Sequence, residues 1–165
     1  MKTGNKNTTI KRMISCVLAG LSVSILINIF VCQSVSVSGS SMEPSYHDGD
    51  RLVMEKISYR MDVPERFDVI VFPLRENYYL VKRVIGLPGE TVQISAEGDI
   101  FIDGRLLEED YGMEPIDNAG IAENGIILGE DEYFVLGDNR NHSADSRNAG
   151  IGNVSIDEIT GKIVW

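Results

Sequence analysis

Twenty consecutive residues, Met13 to Cys32 (MISCVLAGLSVSILINIFVC), carry no charge, and this run limits the folds open to the chain more than any other feature. Wound as an α-helix at about 1.5 Å per residue, it spans roughly 30 Å, the thickness of a hydrocarbon layer. Lys2, Lys6, Lys11 and Arg12 precede it, and no acidic residue occurs before Glu43. By the positive-inside bias those cations hold the N-terminus in the cytoplasm and send the rest of the chain across the membrane. The expected organisation is a cytoplasmic basic stub (1–12), a transmembrane anchor (13–32), a tether (33–37) and an exported domain (38–165). The chain then sits in the cell membrane as a single-pass protein with its folded domain outside the cell.

A cleavable signal peptide and a buried core helix are the competing readings of the run. The small residues of Ser34-Val35-Ser36-Val37-Ser38 offer a cutting site, but the run exceeds the usual apolar length of such peptides, which favours a retained anchor. Val31 ahead of Cys32 stands where lipid attachment needs a small residue, which argues against lipidation. Cys16 and Cys32 fall at opposite ends of the helix and cannot bridge each other. The exported part has no cysteine, so disulfides, a cysteine zinc site and a catalytic thiol are excluded there. His47 and His142 are too few for a histidine metal cluster.

All 25 acidic residues and 11 of the 15 basic ones lie from Glu43 onward. That balance suits solubility and argues against nucleic acid as a partner. The domain reads as short runs of β-branched and aromatic residues, RLVMEKI, DVIVFPL, YYLVKRVIGL, TVQIS, DIFIDGRLL, EYFVLG and GKIVW, separated by turns. Asp103-Gly104 between apolar runs predicts a hairpin. The fold class is therefore all-β, with mixed, strongly curved sheets behind one N-terminal transmembrane helix. Residues 106–130, acidic and rich in turn formers, read as a loop or ribbon remote from the chemistry.

Three pieces carry candidate chemistry. Ser41 lies in Gly39-Ser40-Ser41-Met42-Glu43-Pro44, a turn able to present a hydroxyl and a backbone N–H together; such Ser/Gly/Pro turns are also common in ordinary loops. Lys82 interrupts an apolar run, where strict alternation gives it the same face as Leu80 and Val84. An amine desolvated among such neighbours loses up to roughly 3–5 pKa units and becomes able to act as a base; the plain alternative is a snorkelling or ion-paired lysine on a strand edge. The polar stretch GDNRNHSADSR, Gly137 to Arg147, follows a strand and reads as a tight loop. There Ser143 suits fixing the lysine amine, and an Asp145–Arg147 ion pair suits stiffening the wall.

In order and spacing, Ser41-Met42-Glu43-Pro44, Lys82 to Glu90 and Gly137 to Arg147 resemble the motifs of type I signal peptidases, the membrane-bound serine/lysine leader peptidases. Arg66-Phe67-Asp68-Val69-Ile70-Val71-Phe72 resembles a further strand motif, with Phe67 where the family has glycine. The resemblance implies a curved signal-peptidase-like β domain with Ser41 as nucleophile and Lys82 as general base. It further implies Ser143 as the residue orienting the lysine, and Asp138, Asp145 and Arg147 as supports. Met42, Leu80 and Val81 fall at the expected substrate pockets. Signal peptides of exported preproteins are the implied substrates, beside the lipid bilayer, with no cofactor or metal. Gly39 stands where some members place a serine oxyanion donor, leaving the Ser41 N–H as the donor. Two rivals are a Ser-His-Asp triad built on His142 or His47 with Asp145, and a catalytically inactive membrane-tethered binding module of the same fold.

Overall fold

In a computed structural model, described over residues 6–164, the uncharged run forms most of a helix, α1 (Lys6–Phe30). The helix starts within the expected basic stub; Lys2 of that stub and Trp165 lie outside the described residues. Mean hydropathy over Thr8–Ile25 is 1.3, and no residue of that window is buried. Ile14, Val17, Leu18 and Leu21 all face away from the protein, which sets aside the core-helix reading, since a core helix buries such residues. The Ser22 hydroxyl donates to the Leu18 carbonyl at 2.9 Å, satisfying itself within the helix.

The segment expected as a tether is a strand. β1 (Cys32–Ser36) pairs antiparallel with β2 (Arg51–Glu55) along its whole length. Val35 and Val37 pack with Leu52 and Met54, and that contact holds a sequence too polar to announce itself as a strand.

A single turn of helix, α2 (Ser58–Met61), leads to β3 (Val69–Arg75) and β4 (Tyr78–Gly86). A small second sheet comes next, made of β5 (Thr91–Ile94), β6 (Ile100–Ile102), β7 (Arg105–Leu106) and β8 (Ile126–Ile127) in the order β7-β6-β5-β8. With β9 (Glu132–Leu136), β10 (Val154–Ser155) and β11 (Gly161–Ile163), the main sheet runs β1-β2-β11-β3-β4-β9-β10. The expected mixture of parallel and antiparallel pairing is replaced by antiparallel ladders throughout the described strands. Asp103 (φ 50) and Gly104 (φ 74) make the β6–β7 turn, both in the left-handed region that a two-residue hairpin loop requires.

β3 buries both faces. Val69 and Val71 join Met42, Leu52, Met54 and Ile163 on one side, while Ile70 and Phe72 join Leu80, Val84, Tyr133 and Val135 on the other. The register between β4 and β9 shifts between Val84 and Gly86, and such a bulge bends the strand. At the bulge itself, Ile85 enters a third cluster with Val92, Ile94, Phe134 and Leu136, which joins the two sheets. Gly86 sits so close to the second sheet that a Cβ there would collide with the side chains of Val92 and Leu128.

One row of paired residues crosses the main sheet from Cys32 through Glu55, Lys162 and Ile70 to Lys82. The residues expected to lie far from the chemistry, 106–130, instead fold back onto the 137–147 loop. Met113 N–H donates to the Asp138 carbonyl at 3.3 Å, Ile121 N–H donates to the Arg147 carbonyl at 3.0 Å, and Glu109 pairs with Arg140 at 2.8 Å. A stretch with so little ladder of its own has to find partners for its backbone groups, and this loop supplies them.

Candidate active site

Ser41 stands on a turn fixed at both ends. Gly39, at φ 95, takes a backbone conformation closed to most side chains, and its N–H donates to the Asp48 carboxylate at 2.8 Å. Met42, 1% exposed, anchors the turn in the apolar cluster beneath, and its carbonyl accepts from Tyr46 N–H at 2.9 Å. Asn139 grips the turn from the third motif: its N–H donates to the Ser41 carbonyl and its side-chain amide to the Ser40 carbonyl, both at 3.1 Å. The Ser41 N–H itself donates to no acceptor among the described residues.

Lys82 is 1% exposed, and its Nζ lies 2.8 Å from Ser41 Oγ and 2.9 Å from the Val81 carbonyl oxygen. Burial pulls the amine from its ordinary value down to about 8, against the opposing pull of the Asp145 and Asp138 carboxylates. At pH 7 about a tenth of such amines are neutral, against under about 0.1% for an exposed lysine. A hydroxyl held against that amine can surrender its proton on attack.

The pair opens into a groove of about 590 Å³ lined by Ser38 to Met42 on one side and Tyr78 to Lys82 on the other, with His142 and Ala144 at one wall. Met42, Leu80 and Val81 all contribute, as the sequence suggested, and Val35 and Val37 of the expected tether join them. β9 pairs with β4 only from Arg83 onward, so the β4 edge from Tyr78 to Lys82 is unpaired on that side.

The supporting residues divide. Asp145 and Arg147 form the expected ion pair at 2.8 Å, and Arg147 also donates to the Arg140 carbonyl. Ser143 is in the neighbourhood but does not hold the amine: its hydroxyl is buried without a hydrogen-bond partner among the described residues. It packs where a Cβ on Gly137 would collide with it and with the Ser41 carbonyl, while the lysine amine is directed to Ser41 and Val81. The triad has no geometry. His142 is exposed and His47 faces Asp50 on the surface at 3.9 Å, whereas the Ser41 hydroxyl is already engaged by Lys82.

Asp138 is wholly buried, and its partner is the residue that sequence reasoning passed over. Arg83 binds it through Nε at 2.8 Å and through a terminal nitrogen at 2.6 Å, and Ser45 donates to the same carboxylate at 2.6 Å. The available signal was a second cation inside the run Val81 to Ile85, which a strand core tolerates only when it is paired.

A serine hydroxyl held against a buried, partly neutral amine at the floor of an open-edged groove defines the serine/lysine class of hydrolase site. The family model described as "Signal peptidase, peptidase S26" matches residues 9–165. The chain belongs to that family. A probable signal peptidase I-2 of Synechocystis sp. is 37% identical over 143 residues, covering 82% of this chain and 62% of its own length. This chain thus spans less than two thirds of that relative. A signal peptidase I of Bacillus licheniformis is 33% identical over 168 residues, covering 97% of this chain and 89% of its own. Among solved structures, a signal peptidase I from Enterococcus faecalis V583 is 36% identical with a TM-score of 0.50, covering 61% of this chain and 97% of the other.

Proposed function

We propose that this protein is a membrane-anchored serine endopeptidase that removes signal peptides from exported preproteins, with Ser41 as nucleophile and Lys82 as general base. The observation that carries this reading is the 2.8 Å approach of Lys82 Nζ to Ser41 Oγ with the amine buried. α1 is the retained anchor, its N-terminal end in the cytoplasm and the β domain on the outer side of the cell membrane, beside lipid. The signal peptide adds as an extended strand to the free edge of β4 from Tyr78 to Lys82, facing the turn that bears Ser41. Neutral Lys82 takes the Ser41 proton as Oγ attacks the scissile carbonyl carbon, and the resulting oxyanion accepts from the Ser41 N–H. The lysine then gives that proton to the departing amine as the C–N bond breaks, leaving the signal peptide esterified to Ser41. A water molecule, deprotonated by the same amine, attacks the ester and restores the hydroxyl. Asp138, Asp145 and Arg147 support the site, and Met42, Leu80 and Val81 receive the small substrate side chains.

The test is cleavage of a preprotein bearing an Ala-x-Ala site by the full chain in detergent. Ser41→Ala and Lys82→Ala are each expected to remove activity. The unaltered chain should gain rate about tenfold per pH unit at low pH and level off above about 8, where Lys82 is neutral. Full activity in either variant would sink the assignment, and an inert unaltered chain would favour the tethered binding module.

A further inference from the structure

Arg83 follows Lys82 in β4, and alternation aims it at the other face of the strand. Its guanidinium makes four hydrogen bonds: two to Asp138, one to the Phe67 carbonyl at 2.9 Å and one to Ser45 Oγ at 3.3 Å. These contacts join the strand of the base, the turn of the nucleophile through Ser45, and the 137–147 loop through Asp138. One flat face of the guanidinium lies under the ring of Tyr111, 3.7 Å from its centroid. Tyr111 is itself braced by Phe67, with ring centroids 5.1 Å apart.

Phe67 explains its own departure from glycine. Its backbone sits at φ 73, a region costly for a bulky L-residue. Its ring supplies the brace for Tyr111, its carbonyl binds Arg83, and its N–H donates to the Val84 carbonyl at 2.8 Å. The neighbouring bond from Met113 N–H to the Asp138 carbonyl closes the 106–130 segment over the ion pair.

We propose that Tyr111 is a positioning residue for the reaction, an aromatic cover on Arg83 that keeps the Arg83–Asp138 pair dry and so holds the turn of Ser41 in register with Lys82. The inference rests on the peptidase reading above. A cation desolvated against an aromatic face is held more firmly than one facing water. With the cover gone, water reaches the guanidinium and loosens it from Asp138. The charged groups around Lys82 are Asp138 and Asp145 from the loop, with Arg83 and Arg147 as their counter-ions and His142 across the groove. Weakening Arg83 leaves more of the Asp138 charge to favour protonated Lys82, so the rising limb of the rate against pH moves to higher pH.

The experiment compares Tyr111→Phe and Tyr111→Ala in the full chain for kcat, KM and pH profile, with thermal unfolding and the hydrogen exchange of the Arg83 Nε–H by NMR. Tyr111→Phe should match the parent. Tyr111→Ala should lose about tenfold in kcat with KM within about twofold, shift its pH limb upward, and speed Arg83 Nε–H exchange. Parental kinetics in Tyr111→Ala, or a loss that follows the unfolded fraction with an unmoved pH limb, overturns the proposal. So does equal loss in both variants. If Ser41→Ala cleaves like the parent, it is the peptidase reading that has failed, and the Arg83 exchange rate still decides whether Tyr111 covers the ion pair.

Discussion

Lys82→Met is expected to lower cleavage by about 10²–10⁴-fold and, at the same time, to raise folding stability at pH 7 by about 3 kcal/mol. The two effects have one cause. The folded-state pKa of Lys82 is depressed from 10.5 to about 8, so below pH 8 the folded chain holds a buried ammonium that the unfolded chain would keep in water. Between about pH 8 and 10.5 the unfolded state binds more protons than the folded state, and stability rises with pH across that window. Methionine fills similar volume without the charge and removes both the penalty and the slope. Urea unfolding of parent and variant at pH 7 and pH 10 measures this directly. A variant no more stable than the parent at pH 7 would mean that Lys82 is not a strained group in the fold.

Asp138→Ala is the opposite case. The carboxylate is 0% exposed, and the Arg83 guanidinium it neutralises is 7% exposed. Deleting one partner of such a pair strands the other charge in a dry site, at a cost of about 3–5 kcal/mol. Ser45 also loses its acceptor. The expected result is a large fall in the unfolding midpoint together with lost activity, and the double variant Arg83→Met/Asp138→Ala should regain part of the stability. If the single variant unfolds at the parent's denaturant concentration, the pair contributes nothing to the fold and its place at the junction of the three motifs is incidental.

How far the sequence spoke for the structure depended on the range of the contacts. The strands around Val69–Phe72, Tyr79–Ile85 and Tyr133–Leu136 were legible because their apolar runs bury both faces, and the Asp103-Gly104 hairpin because two positive φ values demand those residue types. β1 was not: CQSVS is polar, and only its ladder with β2 makes it a strand. The two-residue strands β8 and β10 are too short to show any period. Within the site, Ser41 and Lys82 stood out by motif, and the structure brings their side chains together across the sheet. Arg83, Asn139 and Tyr111 did not, since each acts on a residue far away in the chain, and pairings of that kind leave no local pattern. Ser143 shows the reverse: its motif suggested a bond to Lys82 that the side-chain geometry does not make.

The row of residues from Cys32 to Lys82 gives the protein a built-in gauge. Strands lie about 4.8 Å apart, so the four steps across β1, β2, β11, β3 and β4 put Lys82 at most about 19 Å from Cys32, and less where the sheet twists. On the proposed reading, in which α1 is the membrane anchor, the scissile bond stands no higher than that above the lipid. A substrate emerging beside the anchor in extended form, at about 3.3 Å per residue, needs at most about six residues between its membrane-spanning part and the bond that is cut. Preproteins with spacers of two, six and twelve residues, compared for the position of the cut, would read this gauge: a cut that stays near the sixth residue of a long spacer is the expected mark, and a cut that drifts freely along it would mean the sheet measures nothing. If the proposed peptidase reading holds, the strands that carry Lys82 also set how much of a preprotein is discarded.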